Sequence, residues 1–149
     1  METKRLKIGF IVNPIAGMGG RVGLKGTDGV AKQAIALGAK PVASERAIDF
    51  LRKLKSLELK KAIELLTCPS VMGENEVKAT GLHATILPMR LKSETTAEDT
   101  KTAVRLMAKA NVDLIVFVGG DGTARDIFDA LHELGDILVL GVPSGVKMY

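Results

Sequence analysis

Between an apolar run and a helix-forming stretch, this chain places Gly119, Gly120, Asp121, Gly122 and Thr123 in succession. Gly119 and Gly120 let a backbone turn sharply off a strand. Gly122 and Thr123 can open a helix whose free N–H groups and dipole attract an anion. A carboxylate among them repels phosphate, so Asp121 needs another use. It could hold a metal ion, or take a proton from a substrate hydroxyl lying beside the phosphates. It could also simply cap the helix from Gly122 onward. Spacing alone leaves both uses open.

A second glycine cluster follows the first apolar run. Gly17, Gly19, Gly20, Gly23, Gly26 and Gly29 fall within thirteen residues, with Arg21 and Lys25 between them. Glycine lets backbone amides approach an anion, and the two cations add charge of the right sign. The spacing fits neither common nucleotide fingerprint: the third glycine of G-x-G-x-x-G would fall on Val22, and no G-K-[ST] is present. The loop reads either as flexible surface punctuation or as a phosphate cradle.

Other reactive side chains carry less. His83 and His132 have no Cys or His at metal-ligand spacing. Cys68 is the lone cysteine, ends an apolar stretch and reads as an inert, partly buried thiol in a reducing compartment. Ser144 lacks a G-x-S-x-G elbow. Asn75 and Glu76 read as first-turn helix polarity, and Lys53, Lys55, Lys60 and Lys61 as a solvated face.

The elements that must position these loops alternate in type. Strands are predicted over 6–12, 62–66, 83–87, 112–118 and 137–140, with 112–118 apolar enough to be buried on both faces. Helices are predicted over 30–37, 44–57, 72–80, 97–110 and 123–134. Ser44 is the expected cap of the second, and Ile48, Leu51, Leu54 and Leu57 its apolar stripe. Thr95 and Glu98 have the form of a capping box for the helix beginning near Ala97. Strands alternating with helices imply right-handed crossovers and an open, mainly parallel, doubly wound α/β sheet, Rossmann-like with three layers. Ligands bind such sheets beyond the carboxyl ends of the strands, where both glycine clusters fall.

Bulk properties bound the function. The 149 residues suit one compact domain, and aromatics at 3% with no Trp argue against stacking on nucleic-acid bases. Net charge is +4 but uneven: through Lys60 there are 12 Lys and Arg against 5 Asp and Glu, and afterwards 9 against 12. A basic front half suits an anionic ligand, or no more than a solvated surface. The apolar run at 8–12 is too short for a signal peptide or a membrane span. A cytoplasmic protein without membrane or nucleic-acid partners is therefore expected.

The run GGDGT at 119–123 resembles the signature shared by NAD kinases, diacylglycerol and sphingosine kinases and 6-phosphofructokinases. Together with NPIAGMGG at 13–20, GLKGTDG at 23–29, MGE at 72–74, TTAEDT at 95–100 and the continuation to Asp126, it is similar to the ATP-NAD kinase family over 7–149. That resemblance implies transfer of the γ-phosphoryl group of ATP, or of polyphosphate, to the 2′-hydroxyl of NAD, giving NADP, with Mg2+ expected. It implies Asp121 as the general base and Gly119, Gly120, Gly122 and Thr123 as the turn against nucleotide phosphates. Asn13, Gly17, Gly19 and Gly20 would lie near the nucleotide. Arg21 and Lys25, by sign and place, would neutralise phosphate charge. On this reading residues 1–140 form the nucleotide-binding domain, and 141–149 begin the connection to a β-rich second domain that completes the NAD site. The 149-residue chain alone would then be inactive, and the protein a homo-oligomer. A lipid kinase of the diacylglycerol or sphingosine kinase type, or a non-catalytic nucleotide-binding module, are the alternatives.

Overall fold

The computed structural model describes residues 5–16, 42–57, 62–92 and 94–144. Strand β1 (Leu6–Val12) leads, after an undescribed stretch, to helix α1 (Ala43–Ser56) and strand β2 (Ile63–Thr67). A 3-10 turn (Ser70–Met72), helix α2 (Glu74–Thr80) and a two-residue strand β3 (Thr85–Ile86) follow. Helix α3 (Ala97–Lys109), strand β4 (Leu114–Gly119), helix α4 (Asp121–Leu131) and strand β5 (Leu138–Pro143) complete the order. All five strands pair in parallel, in the order β3-β2-β1-β4-β5, so the open α/β sheet expected from the alternation is present.

The two central strands carry the least polar sequences because both their faces are covered. Along β1 every residue from Ile8 to Val12 is buried, and along β4 every residue from Ile115 to Gly119. Alternate side chains feed two cores. Phe10, Val12, Val116 and Val118 pack with Ala43, Ala47 and Leu51 of α1 and Val77 of α2. Ile11, Ile115 and Phe117 pack on the other face with Val104 and Met107 of α3 and Ile127 and Leu131 of α4. Helices thus lie on both sides of the sheet, as a doubly wound arrangement requires. Among the described residues no helix is long and apolar enough to cross a membrane.

Several boundaries differ from the sequence reading, each for a local reason. Helix α1 begins at Ala43 with Val42 in the cap position and no side-chain cap bond, so Ser44 sits inside the first turn. Val42 and Ala43 are both buried, and that burial sets the start. The inward face of α1 is Ala43, Ala47 and Leu51, while Leu57 is 54% exposed. The capping box of α3 is Thr96 with Asp99, one residue later than expected: Thr96 N–H donates to Asp99 Oδ2 at 2.9 Å. The helix predicted over 72–80 is split at Gly73, which takes φ 146°. A Cβ there would run into Thr67 Oγ1, which donates to Phe10 O at 2.8 Å between β2 and β1. The helix predicted over 30–37 lies outside the described residues.

Candidate nucleotide site at the carboxyl end of the sheet

In this strand order the chain leaves β1 toward β2 on one side and leaves β4 toward β5 on the other. The connections diverge, and a crevice opens between the carboxyl ends of β1 and β4. Asn13, the first residue beyond β1, spans it. Its backbone N–H donates to Val118 O at 2.9 Å, and its side-chain Nδ2 donates to Thr123 Oγ1 at 3.0 Å. Its Oδ1 accepts from Ile15 N–H at 3.2 Å, which turns the chain out of the strand. One half-buried amide thereby ties the first loop to the GGDGT turn.

That turn starts its helix earlier than predicted. Gly120 is the N-cap of α4, Asp121 its first residue, and Ala124 N–H makes the first helical bond back to Gly120 O at 3.0 Å. Asp121 is thus the first residue of the helix and Gly120 its N-cap, a place where a carboxylate complements the helix dipole. Asp121 and Gly122 are exposed, whereas Thr123 is 4% exposed beneath them. The amides of Gly122 and Thr123 belong to the first turn, where no helical carbonyl can take them. Gly119 is required by close approach: a Cβ would stand 2.5 Å from Thr123 Oγ1 and 2.7 Å from Thr123 Cβ.

A narrow cleft beside the crevice gathers segments distant in sequence. It is lined by Asn13, Pro14 and Ile15 after β1, Met72 after β2, Thr95, Thr96, Ala97 and Thr100 at the start of α3, and Asp126 of α4. A wider hollow of about 650 Å³ lies at the opposite, amino end of the sheet, lined by Arg5, Lys55, Glu64 and His83 among others. Its greater volume carries less functional weight, because it meets none of the strand-to-helix loops that present free amides.

Of the residues singled out in the sequence, Asn13, Gly119, Gly120, Asp121, Gly122 and Thr123 are thus brought to one place. Gly17, Gly19, Gly20, Arg21 and Lys25 lie outside the described residues. His83 and His132 are exposed. No cluster of three or more His, Cys, Asp or Glu side chains that could hold a metal ion occurs among the described residues. Cys68 is fully buried, and burial pushes its thiol up to about 12, so it stays protonated at neutral pH as an inert thiol should.

Two side chains escaped the sequence reading. Glu76, read as first-turn polarity, is 3% exposed, and its Oε2 has no hydrogen-bond partner among the described residues. The only sequence signal was helical spacing, which places it on one face with Thr80. Burial raises its carboxyl to about 7. The folded state therefore holds a proton that the unfolded chain, at about 4.5, releases, so Glu76 makes stability fall as pH rises between those values. Glu76→Gln is expected to be more stable than the wild type by about 2 kcal/mol at pH 8 and equal to it near pH 4. Thermal unfolding of both proteins across that range checks this. The second is Ser144, which is 1% exposed, with an oxygen that has no partner among the described residues.

A family model described as the ATP-NAD kinase N-terminal domain matches residues 8–149. No curated protein matches the chain.

Proposed function

The chain belongs to the ATP-NAD kinase family, matching its N-terminal domain, and from that membership we propose that it transfers the γ-phosphoryl group of ATP or polyphosphate to the 2′-hydroxyl of the adenosine ribose of NAD. Asp121 accepts the hydroxyl proton as the 2′-oxygen attacks the γ-phosphorus. The new O–P bond forms as the bond to the β,γ-bridging oxygen breaks, and the electron pair leaves on the β-phosphate of ADP. Gly119, Gly120, Gly122 and Thr123 form the turn against the phosphates, and Asn13 holds that turn to the loop after β1. Gly17, Gly19, Gly20, Arg21 and Lys25 are assigned to nucleotide binding by their place in the sequence, and the two cations by their sign. Magnesium, when bound with the nucleotide, neutralises charge on its phosphates. The described residues supply no three-ligand cluster for it, so no step is assigned to a protein-held ion.

The observation that carries this reading is the bond from Asn13 Nδ2 to Thr123 Oγ1 at 3.0 Å across the crevice. Two segments 110 residues apart, each similar to the family's, meet there at a helix N-terminus suited to phosphate. The test uses the protein as its cell makes it, with labelled ATP or polyphosphate as donor and NAD or diacylglycerol as acceptor. The proposal expects label in NADP. Label appearing only in the lipid would transfer the site to a lipid kinase, and no label in either would leave a nucleotide-binding module.

A further inference from the structure

Among the described residues the hydroxyl of Ser144 has no partner although the residue is 1% exposed, and its position gives it a use. Ser144 is the first residue after β5, and its backbone N–H donates to Gly119 O at 3.2 Å. Gly119 immediately precedes the N-cap of α4, so Ser144 is clamped next to the turn that presents the first amides of that helix. Three other buried hydroxyls among the described residues are engaged. Thr67 donates to Phe10 O at 2.8 Å, Thr80 donates to Val77 O at 2.8 Å, and Thr123 accepts from Asn13 at 3.0 Å. An unmet buried hydroxyl destabilises a fold, and such groups are rare without a reason.

We propose that the Ser144 hydroxyl donates a hydrogen bond to a phosphate oxygen of the ligand held at the N-terminus of α4. This rests on the kinase reading above and extends it, adding a side-chain donor from β5 to the amides of the GGDGT turn. The ligand class is a nucleoside polyphosphate or another polyphosphate chain. The serine is a binding residue, not a nucleophile: no bond to it forms, and it lacks a base. Two effects of opposite sign follow from one substitution. Ser144→Ala removes an unsatisfied polar atom from the ligand-free protein, and removes one charge-assisted hydrogen bond from the complex.

The experiment measures thermal unfolding of the ligand-free 149-residue chain, and its affinity for ATP, tripolyphosphate and adenosine, in wild type and Ser144→Ala. The expected result is a Tm higher by about 2–4 °C. Affinity for ATP and tripolyphosphate should fall about tenfold, with adenosine unchanged. A lower Tm with unchanged affinities would make the hydroxyl structural and overturn the proposal. A higher Tm with unchanged affinities would overturn it as well, while leaving the kinase reading intact. If the wild type binds neither ATP nor tripolyphosphate, the phosphate site itself fails, and the role of Ser144 fails with it.

Discussion

Asp121→Asn is expected to slow NADP formation by about 10²–10⁴-fold while leaving ATP affinity within about threefold. Asparagine matches aspartate in size and can occupy the first position of α4, so the turn from Gly119 to Thr123 survives the change. What it cannot do is take a proton. A carboxylate in the first turn of a helix also gains about 0.3–1 kcal/mol from the dipole, so a small loss of thermal stability should accompany the substitution. The structural and chemical uses of this residue therefore separate cleanly. A kcat close to that of the wild type, with the same small stability loss, would leave Asp121 as helix-terminal charge and remove it from the chemistry. Weakened ATP binding with unchanged kcat would assign it to the donor instead of the acceptor hydroxyl.

The second large effect is structural in origin. Gly119→Ala should destabilise the protein by about 2–3 kcal/mol and weaken ATP binding at least tenfold. The added methyl would meet Oγ1, Cβ and Cγ2 of Thr123 at 2.5, 2.7 and 3.0 Å. All three atoms belong to one stiff, β-branched, buried side chain, so no flexible tip can swing aside. Either α4 shifts away from β4, or Thr123 rotates and its bond to Asn13 breaks. Both outcomes misplace the first-turn amides relative to the loop after β1. Denaturant unfolding and an ATP titration of the variant measure the two losses. A variant that unfolds and binds like the wild type would show that the tight packing at Gly119 is not needed for the site.

The sheet was legible in the sequence because its central strands are apolar on both faces. The run at 112–118 reads as a strand buried on both faces, and β4 occupies Leu114–Gly119. Strand order was not legible, since alternation says which elements exist but not which strand neighbours which. The edge strand β3 shrank from five predicted residues to two, as its exposed Thr85 and Ile86 pair only with β2. The capping box illustrates a limit of spacing: Thr95 with Glu98 and Thr96 with Asp99 both satisfy it, and only the bond from Thr96 N–H chooses between them.

At the site, residue types carried the signal where backbone geometry is demanding. Gly119 and the residues around it were singled out because a turn off a buried strand into a helix needs glycine. The helix predicted over 123–134 begins two residues earlier, at Asp121, with Gly120 as its N-cap. The burial of Glu76 and Ser144 left no trace in their neighbours' types. A buried carboxyl looks in sequence like any helical glutamate, and Ser144 was weighed only as a nucleophile.

Phosphate is expected to bind at the carboxyl end of the sheet, on the turn that joins β4 to α4. An amide-resolved NMR titration of the isotope-labelled chain with ATP tests it most directly. The largest shifts are expected at the backbone amides of Gly119, Gly120, Gly122 and Thr123 and at the side-chain amide of Asn13. Shifts centred instead on Arg5, Lys55 and His83, around the hollow at the amino end, would contradict it.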